Sequence, residues 1–232
     1  MPTHLDRRSF LAALSGLPAL ALAPKLAGQV SAGQQIRTRG INHVKLIVAD
    51  LKRSIDFYQG LFGMPVQARG GSSEAALRIG SGPQHLALSN DADATPSIES
   101  YCLGVEGFNE DQILKTLAAH GIKVSEYRGA MTVQVGTRGD RTDIYLNDPD
   151  GLIVQLQDVS YCGGGGRLGA SCTAVEPSPK KGLISLKGYS HITVFSGDAQ
   201  RSNDFYKQLF GLTVRSFQGP TAPTLAVGPT VE

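Results

Sequence analysis

A histidine in an alternating segment is the side chain with the clearest capacity for chemistry in this sequence. In residues 41–48, His43 and Lys45 fall on the face opposite three apolar residues, as in a strand with one buried face. A neutral imidazole can ligate a metal ion or accept a proton near neutral pH. The same histidine recurs 148 positions later as His191. This repetition favours a role for His43 in a site.

A second polar face is predicted close to the sequence DPDG at 148–151, which is typical of a tight turn between two strands. In residues 152–157, Gln155 alternates onto the same face as Ile153 and Gln157, and the opposite face is apolar. Because two such polar faces belong to one domain, we predict a polar-lined concavity.

The elements that position these side chains occur in the order strand, helix and three strands, twice in succession. The first unit covers residues 41–89, where Asp50 caps a helix that Gly63 ends. The second unit covers residues 97–158, and its helix begins at Asn109. Two βαβββ units predict an α+β domain over residues 33–158, with the helices on one face of the sheet.

An internal repeat extends this organisation to a third unit. Residues 41–84 align without a gap with residues 189–232, and 14 of the 44 aligned pairs are identical. A repeat of this length predicts a duplicated supersecondary unit. We therefore expect a partial second domain over residues 187–232, with the order strand, helix and two strands and with its last strand missing.

Residues 159–186 have the composition of a linker, rich in Gly, Ser, Pro and Lys and without an apolar period. Cys162 and Cys172 flank a flexible glycine-rich run, so a small-loop disulfide is expected in an oxidising compartment, with unpaired thiols as the open alternative. Cys102 falls in an apolar strand, where a buried cysteine is the common case.

The first 32 residues have the features of a twin-arginine signal peptide. Arg7 and Arg8 precede an apolar run, and small residues at 30–32 suit a signal peptidase. Loss of this segment lowers the formal charge from +2 to 0. A neutral mature chain has no electrostatic surface for nucleic acid or for anionic membranes. We expect a periplasmic or secreted protein without a stable membrane span.

Three motifs carry a family resemblance. They are H-x-x-x-x-V-x-D from His43, R-S-x-D-F-Y-x-x-x-F-G from Arg53, and N-D-P-D-G from Asn147. Together they resemble the vicinal oxygen chelate superfamily, which includes glyoxalase I, fosfomycin- and bleomycin-resistance proteins and extradiol dioxygenases. The resemblance covers residues 41–158 and recurs from residue 189. It implies paired βαβββ modules that form a cupped, eight-stranded mixed sheet.

The resemblance also implies a metal site. In that superfamily a His on the first strand, a His on the first strand of the second unit and a Glu after the turn hold a divalent ion. His43 matches the first position, Ser100, counted back from Val105, occupies the second, and Gln155 replaces the Glu. We therefore expect His43 and Gln155 to face Fe, Mn, Ni or Zn, with weak or absent binding because hydroxyl and amide groups are poor ligands.

The ligand set stays open in one respect. If the register of the second unit differs, or if His85 faces inward, then His85 and Cys102 form an alternative N/S/O set with His43. Besides the two metal-facing residues, the predicted substrate pocket consists of Lys45, Ser100, Cys102, Ile153 and Gln157.

Two functions follow from the resemblance. The first is an exported glyoxalase-like or dioxygenase-like protein that binds a small molecule in the cupped sheet, with metal-dependent dioxygenase or lyase chemistry. The second is a metal-free protein that sequesters a ligand, as bleomycin-resistance proteins do. The sequence leaves open whether the protein is an enzyme and whether it forms a homodimer.

Overall fold

The computed structural model describes residues 35–172, 174–219 and 222–228, so the predicted leader lies outside the described residues. The first unit consists of β1 (Thr38–Val48), α1 (Leu51–Phe62), β2 (Val66–Gly70), β3 (Glu74–Arg78) and β4 (His85–Asn90). The second consists of β5 (Ser97–Val105), α2 (Glu110–Ala119), β6 (Lys123–Val124), β7 (Thr132–Arg138), β8 (Arg141–Asn147) and β9 (Ile153–Asp158). Beyond them lie α3 (Ala199–Phe210), β10 (Thr213–Phe217) and β11 (Pro223–Ala226).

The helices begin and end where their capping residues dictate. The Asp50 carboxylate accepts a hydrogen bond of 2.9 Å from the backbone N–H of Arg53, which satisfies one free donor at the start of α1. Gly63 ends α1 with φ of 65°, a left-handed conformation that glycine adopts without steric cost. The sequence repeat gives α3 the same two ends, at Asp198 and Gly211. None of the described helices is long and apolar enough to cross a lipid bilayer.

The two units form one mixed sheet, with strand order β2-β3-β4-β1-β5-β9-β8-β7-β6. Within the units, β1 is parallel to β4 and β5 is parallel to β9, whereas the units meet where β1 pairs with β5 in antiparallel fashion. The predicted α+β fold of paired modules is confirmed. The sheet has nine strands instead of eight because the two-residue β6 adds to its edge.

The sheet curls strongly about its middle. Glu74 of β3 and Arg138 of β7 lie six strands apart in the sheet order, which in a flat sheet is a distance of roughly 29 Å. Their side chains nevertheless form an ion pair of 2.5 Å. The two ends of the sheet therefore fold toward each other, and the concave face between them is called the cup below.

The hydrophobic core lies on the convex face, under the helices. One cluster joins α1 to β3 and β4 and includes Leu51, Leu77 and Leu88. A second cluster lies under α2 and includes Leu117, Ile144 and Leu156. Val154 and Leu156 of β9 point into this core, so the alternate residues Gln155 and Gln157 point into the cup, as predicted.

The third unit forms its helix but not its expected first strand. Residues 189–196, which repeat β1, have no strand structure, and Phe195 among them is 92% exposed. In the first unit β1 is held between β4 and β5, and the described residues give 189–196 no equivalent neighbours. The apolar alternation alone was therefore insufficient to form a strand.

The helix α3 packs on the second unit. Tyr206 and Leu209 join the hydrophobic cluster under α2. The hydroxyl of Tyr206 donates a hydrogen bond of 2.9 Å to the buried carboxylate of Asp148 and lies 2.6 Å from the hydroxyl of Tyr101. Arg201 forms an ion pair of 2.6 Å with Asp150. The turn at 148–151 is therefore the docking point of α3.

Candidate functional site

One row of residues, here called the histidine row, crosses the middle of the cup. The sheet register pairs His85 with His43, His43 with Cys102, Cys102 with Gln155, and Gln155 with Tyr145. Side chains at paired register positions point to the same face of a sheet. The five strands β4, β1, β5, β9 and β8 therefore bring together His43, Gln155 and the two residues that the sequence left as alternatives, His85 and Cys102.

The second-unit position opposite His43 is Cys102, not Ser100. Ser100 pairs with Lys45, two residues further along β1. It faces the cup, where its hydroxyl is buried and has no hydrogen-bond partner among the described residues. The count back from Val105 was wrong because three residues separate Val105 from the helix cap Asn109, whereas one residue separates Val48 from the cap Asp50.

The side chain of His43 is held by two amides. Its Nδ1 lies 2.9 Å from Oδ1 of Asn42, and its Nε2 lies 2.9 Å from the Oε1 atom of Gln155. Asn42 donates its own N–H to the carbonyl oxygen of Tyr161, which fixes its oxygen toward the imidazole. Both amides therefore present an oxygen to the ring. A neutral imidazole has one N–H, so it donates to one of these two oxygens, and the tautomer sets which.

His85 stacks on His43. Their ring centroids are 4.6 Å apart, and the ring planes differ by 19°. The Nδ1 of His85 donates to the carbonyl oxygen of Pro83 at 2.9 Å. Burial lowers the pKa of His85 to about 4. Burial, followed by the charge of His85, lowers the pKa of His43 well below its usual value. Both imidazoles are therefore neutral near pH 7.

The third ring in the cup belongs to Tyr161, which sequence reasoning assigned to the linker. Its centroid lies 5.4 Å from that of His43 and 5.8 Å from that of His85. The guanidinium carbon of Arg141 lies 5.2 Å from its centroid, a cation–π contact. Burial raises the pKa of the phenol to about 12, although Arg141 opposes the shift. Tyr161 therefore fills the space in front of the two histidines as a neutral phenol.

A buried ion pair forms the wall beside Tyr161. Arg141 and Asp143 contact each other through two hydrogen bonds of 3.0 and 3.2 Å, and both residues are buried. Gln157 donates a third hydrogen bond to this carboxylate. The Asp143 carboxylate is thereby committed to Arg141 and Gln157, so it is unavailable to a cation in the cup.

The rim of the cup is charged but internally neutralised. Lys45 lies 2.9 Å from Glu99 and 3.8 Å from Glu74, and Glu74 also binds Arg138. Burial acts to raise the pKa of Glu74, but the hydrogen bond and charge of Arg138 lower it overall. Arg128 lies 3.8 Å from Glu99. The carboxylate of Glu74 is therefore ionised, and both rim carboxylates are paired with cations.

The space left in the cup is small. A cavity of about 60 Å³ adjoins His43, Lys45, His85, Arg141 and Tyr161. It is smaller than the roughly 300 Å³ of a typical ligand pocket, and holds about two waters at roughly 30 Å³ each. Lys45 lines this cavity, whereas the other four predicted pocket residues, Ser100, Cys102, Ile153 and Gln157, do not. Tyr161 and its segment occupy the remaining volume.

A larger surface groove lies elsewhere. It has a volume of about 400 Å³ and runs between α1 and residues 176–179. Its charged residues pair with one another, Lys52 with Asp56 and Arg69 with Glu176. Because these side chains satisfy each other and lie away from the histidine row, we assign the functional site to the cup.

The donors in the cup do not fit a divalent metal. The Nε2 atom of His43 faces an amide, burial raises the pKa of the Cys102 thiol well above its usual value, and Asp143 is bound to Arg141. His85 donates through Nδ1, so its Nε2 keeps a lone pair, but a metal site needs several such imidazole, thiolate or carboxylate donors together. Within the described ranges, no three His, Cys, Asp or Glu side chains converge on a point where an ion would bind.

The residues that sequence reasoning missed are Tyr161 and Arg141. Tyr161 lies in a segment without periodicity, and its burial depends on contacts with Asn42 and Arg141 that no local signal reveals. Arg141 alternates onto the same face as Asp143 and Tyr145 in β8. That alternation of polar residues beside the turn at 148–151 was a usable signal for a third polar strand in the cup.

Comparison with known proteins places this chain in a family. The model of the Glyoxalase/Bleomycin resistance protein/Dioxygenase superfamily matches residues 40–156. A catechol 2,3-dioxygenase structure is 21% identical, with a TM-score of 0.56 over 83% of this chain and 62% of that one. The Mn(II)-bound glyoxalase from Novosphingobium aromaticivorans is 20% identical, with a TM-score of 0.57 over 82% of this chain and 58% of that one.

A third similar structure is the 2,3-dioxygenase LapB from Pseudomonas sp. KL28, 14% identical with a TM-score of 0.56 over 83% of this chain and 67% of that one. At these identities the similarity shows a shared fold. The chain spans 62% and 58% of the length of the first two structures. A sequence search among curated proteins found no significant match.

Proposed function

Because the chain belongs to the glyoxalase/bleomycin resistance protein/dioxygenase superfamily, we propose that it is an exported protein that binds a small molecule in the cup without a metal ion. The ligand contacts are the polar groups of the histidine row and of the wall around Arg141. This proposal selects the sequestering function of the two that the sequence left open.

The observation that carries the proposal is the environment of the Nε2 atom of His43. This nitrogen is the one that faces the cup, and the side-chain amide of Gln155 lies 2.9 Å from it. The amide oxygens of Asn42 and Gln155 thus engage both ring nitrogens of His43. A neutral amide therefore stands where a carboxylate ligand is expected, and it caps the only nitrogen that His43 offers.

The electrostatics of the cup support the same choice. A divalent metal ion bound at the histidine row would lie near the positive charges of Lys45 and Arg141. These two charges already act to lower the pKa of His43. A metal ion next to these cations needs anionic ligands to offset its charge, and the carboxylates of Asp143, Glu74 and Glu99 are already paired. Uncharged or anionic organic ligands are better suited to this environment.

Export is supported by the disulfide. Cys162 and Cys172 are bonded, with their Cα atoms 6.3 Å apart. Structural disulfides persist outside the cytoplasm and are rare within it. A disulfide next to the cup fits the periplasmic or secreted location proposed from the twin-arginine segment, and we propose a small-molecule ligand as the principal partner.

Thermal unfolding of the full chain with a panel of phenols and small carboxylic acids, in the presence of EDTA, tests the proposal. We expect at least one compound to raise the melting temperature in proportion to the logarithm of its concentration, as mass action requires. EDTA should leave this rise unchanged. A rise that appears only after addition of Fe(II), Mn(II), Ni(II) or Zn(II) contradicts metal-free binding and favours the metal-dependent alternative.

A further inference from the structure

We propose that residues 160–172, here called the strap, are an intramolecular occupant of the cup, which a ligand enters by displacing Tyr161. The inference rests on the proposed function and adds to it the regulation of the same site. The strap follows β9 directly and turns back across the concave face, so it belongs to the cup and not to a free linker.

The first argument is that the cup binds the backbone of the strap. Asn42 donates to the carbonyl oxygen of Tyr161 at 2.9 Å, Gln67 donates to that of Cys162 at 2.9 Å, and Arg141 donates to that of Gly164 at 3.1 Å. Buried amide and guanidinium donors are unfavourable when unpaired. The polar residues of the cup are thus satisfied by the strap in the way that they would be satisfied by a polar ligand.

The second argument is the close fit at Gly163. A side chain at this position would meet Cβ of Ala76 at 3.2 Å and Cβ of Ala68 at 3.6 Å, and φ of Gly163 is 81°. The small residues of β2 and β3 therefore make room for the backbone of the strap. This fit places the ring of Tyr161 against His43 and His85, where only about 60 Å³ of free space remains.

The third argument is the covalent closure of the strap. The Cys162–Cys172 disulfide joins the two ends of its glycine-rich part, across ten positions of sequence. The loop has little hydrophobic surface of its own, and five of its residues are glycines with backbone freedom to lose. Cross-linking reduces that freedom in the displaced state, so the disulfide favours the inserted position of Tyr161.

Thiol labelling tests the proposal without any ligand. Cys102 is buried beside His43 and is the free cysteine of the three. We would measure its rate of modification by methyl methanethiosulfonate in the oxidised full chain and in Tyr161→Ala, Tyr161→Phe and Cys162→Ser/Cys172→Ser variants. Opening of the strap exposes the cup side of Cys102, so the alanine and double-serine variants should react about tenfold faster or more, as expected when a local opening becomes easier. The phenylalanine variant keeps the ring and should react at the wild-type rate.

Each outcome decides a part of the proposal. Equal rates for the alanine and phenylalanine variants overturn the role of Tyr161, and an unchanged rate in the double-serine variant overturns the role of the disulfide. Near-UV circular dichroism verifies folding. If the alanine variant does not fold, the test uses the double-serine variant, and the exchange rates of the backbone amides in the strap are measured as well. If the disulfide holds the strap in the cup, these amides should exchange faster in the double-serine variant than in the oxidised wild type.

A second measurement uses p-cresol, which has the shape of the tyrosine side chain. It should raise the melting temperature of Tyr161→Ala and leave that of Tyr161→Phe unchanged. No rise in the alanine variant means that Tyr161 does not occupy a ligand-accepting space, which overturns the proposal. A different result separates the two proposals. If no compound of the panel raises the melting temperature of the wild-type chain, but Cys102 is labelled faster in the variants, the proposed function is contradicted and the role of the strap is not.

Discussion

His43 and Cys102 lie directly opposite each other on the antiparallel strands β1 and β5. Gln155 is the next residue across, on β9. An imidazole, a thiol and an amide therefore occupy the three adjacent positions at the centre of the cup. Burial raises the pKa of the thiol, and the amide is neutral at every pH. This row has the geometry of a ligand set without the anionic charge that holds a divalent ion.

The buried histidines should make the protein sensitive to acid. His85 has a pKa of about 4 in the folded protein against 6.5 for a free histidine. The unfolded chain therefore binds more protons between these values, and the free energy of unfolding falls as pH decreases from about 6.5 through about 4. For His85 the loss is about 3 kcal/mol. Urea unfolding at pH 7, 5 and 4 measures it.

The matched variants for this prediction are His85→Gln and His191→Gln. The first removes a buried titrating group, so its stability should depend less on pH between 6.5 and 4. The second changes an exposed histidine in the segment before α3 and should retain the wild-type dependence. An unaltered slope in His85→Gln would show that His85 is not protonated on unfolding.

Substitution of only one residue of the ion pair in the wall of the cup should lower the stability of the protein. Arg141→Met leaves the Asp143 carboxylate buried without its cation, and removing one partner of a buried pair destabilises a protein by about 3–5 kcal/mol. The double variant Arg141→Met/Asp143→Asn removes both charges and should recover part of that loss. Urea unfolding of the three proteins gives the values. A double variant no more stable than Arg141→Met contradicts this account.

The hydroxyl of Tyr206 should hold α3 on the second unit. Tyr206→Phe removes the donor to Asp148 and leaves a buried carboxylate short of one partner, at a cost of about 1–3 kcal/mol. Tyr58→Phe is the matched control, since Tyr58 is the repeat equivalent and its hydroxyl makes no hydrogen bond within the described residues. It should change stability by less than about 0.5 kcal/mol. Equal effects of both substitutions would mean that the contact with Asp148 contributes nothing.

The secondary structure of the two units follows from local signals, whereas the site depends on pairing between distant strands. The caps Asp50 and Asn109 are where the sequence predicts them. The choice of Ser100 failed because the segment between strand and helix cap is longer in the second unit than in the first, so a count from Val105 gives the wrong register.

Tyr161 and residues 189–196 show the other limit of sequence reasoning. Tyr161 has no periodic neighbours, and its contacts with the cup place its ring. Residues 189–196 have the alternation of β1 but lack strand neighbours among the described residues. In both cases tertiary contacts decide the structure, because an isolated strand pattern has no hydrogen-bond partners of its own.

Metal stoichiometry is the most direct test of the central claim that the row at the centre of the cup lacks a metal-binding ligand set. The full chain and two variants, Cys102→His/Gln155→Glu and Ser100→His/Gln155→Glu, would each be loaded with Mn(II), Fe(II), Ni(II) or Zn(II), desalted and assayed by elemental analysis. We predict far less than one ion per chain in the wild type and in the Ser100→His variant, and one ion per chain in the Cys102→His variant, because only position 102 lies beside His43. One ion per chain in the wild type, lost on His43→Ala substitution, would contradict the account.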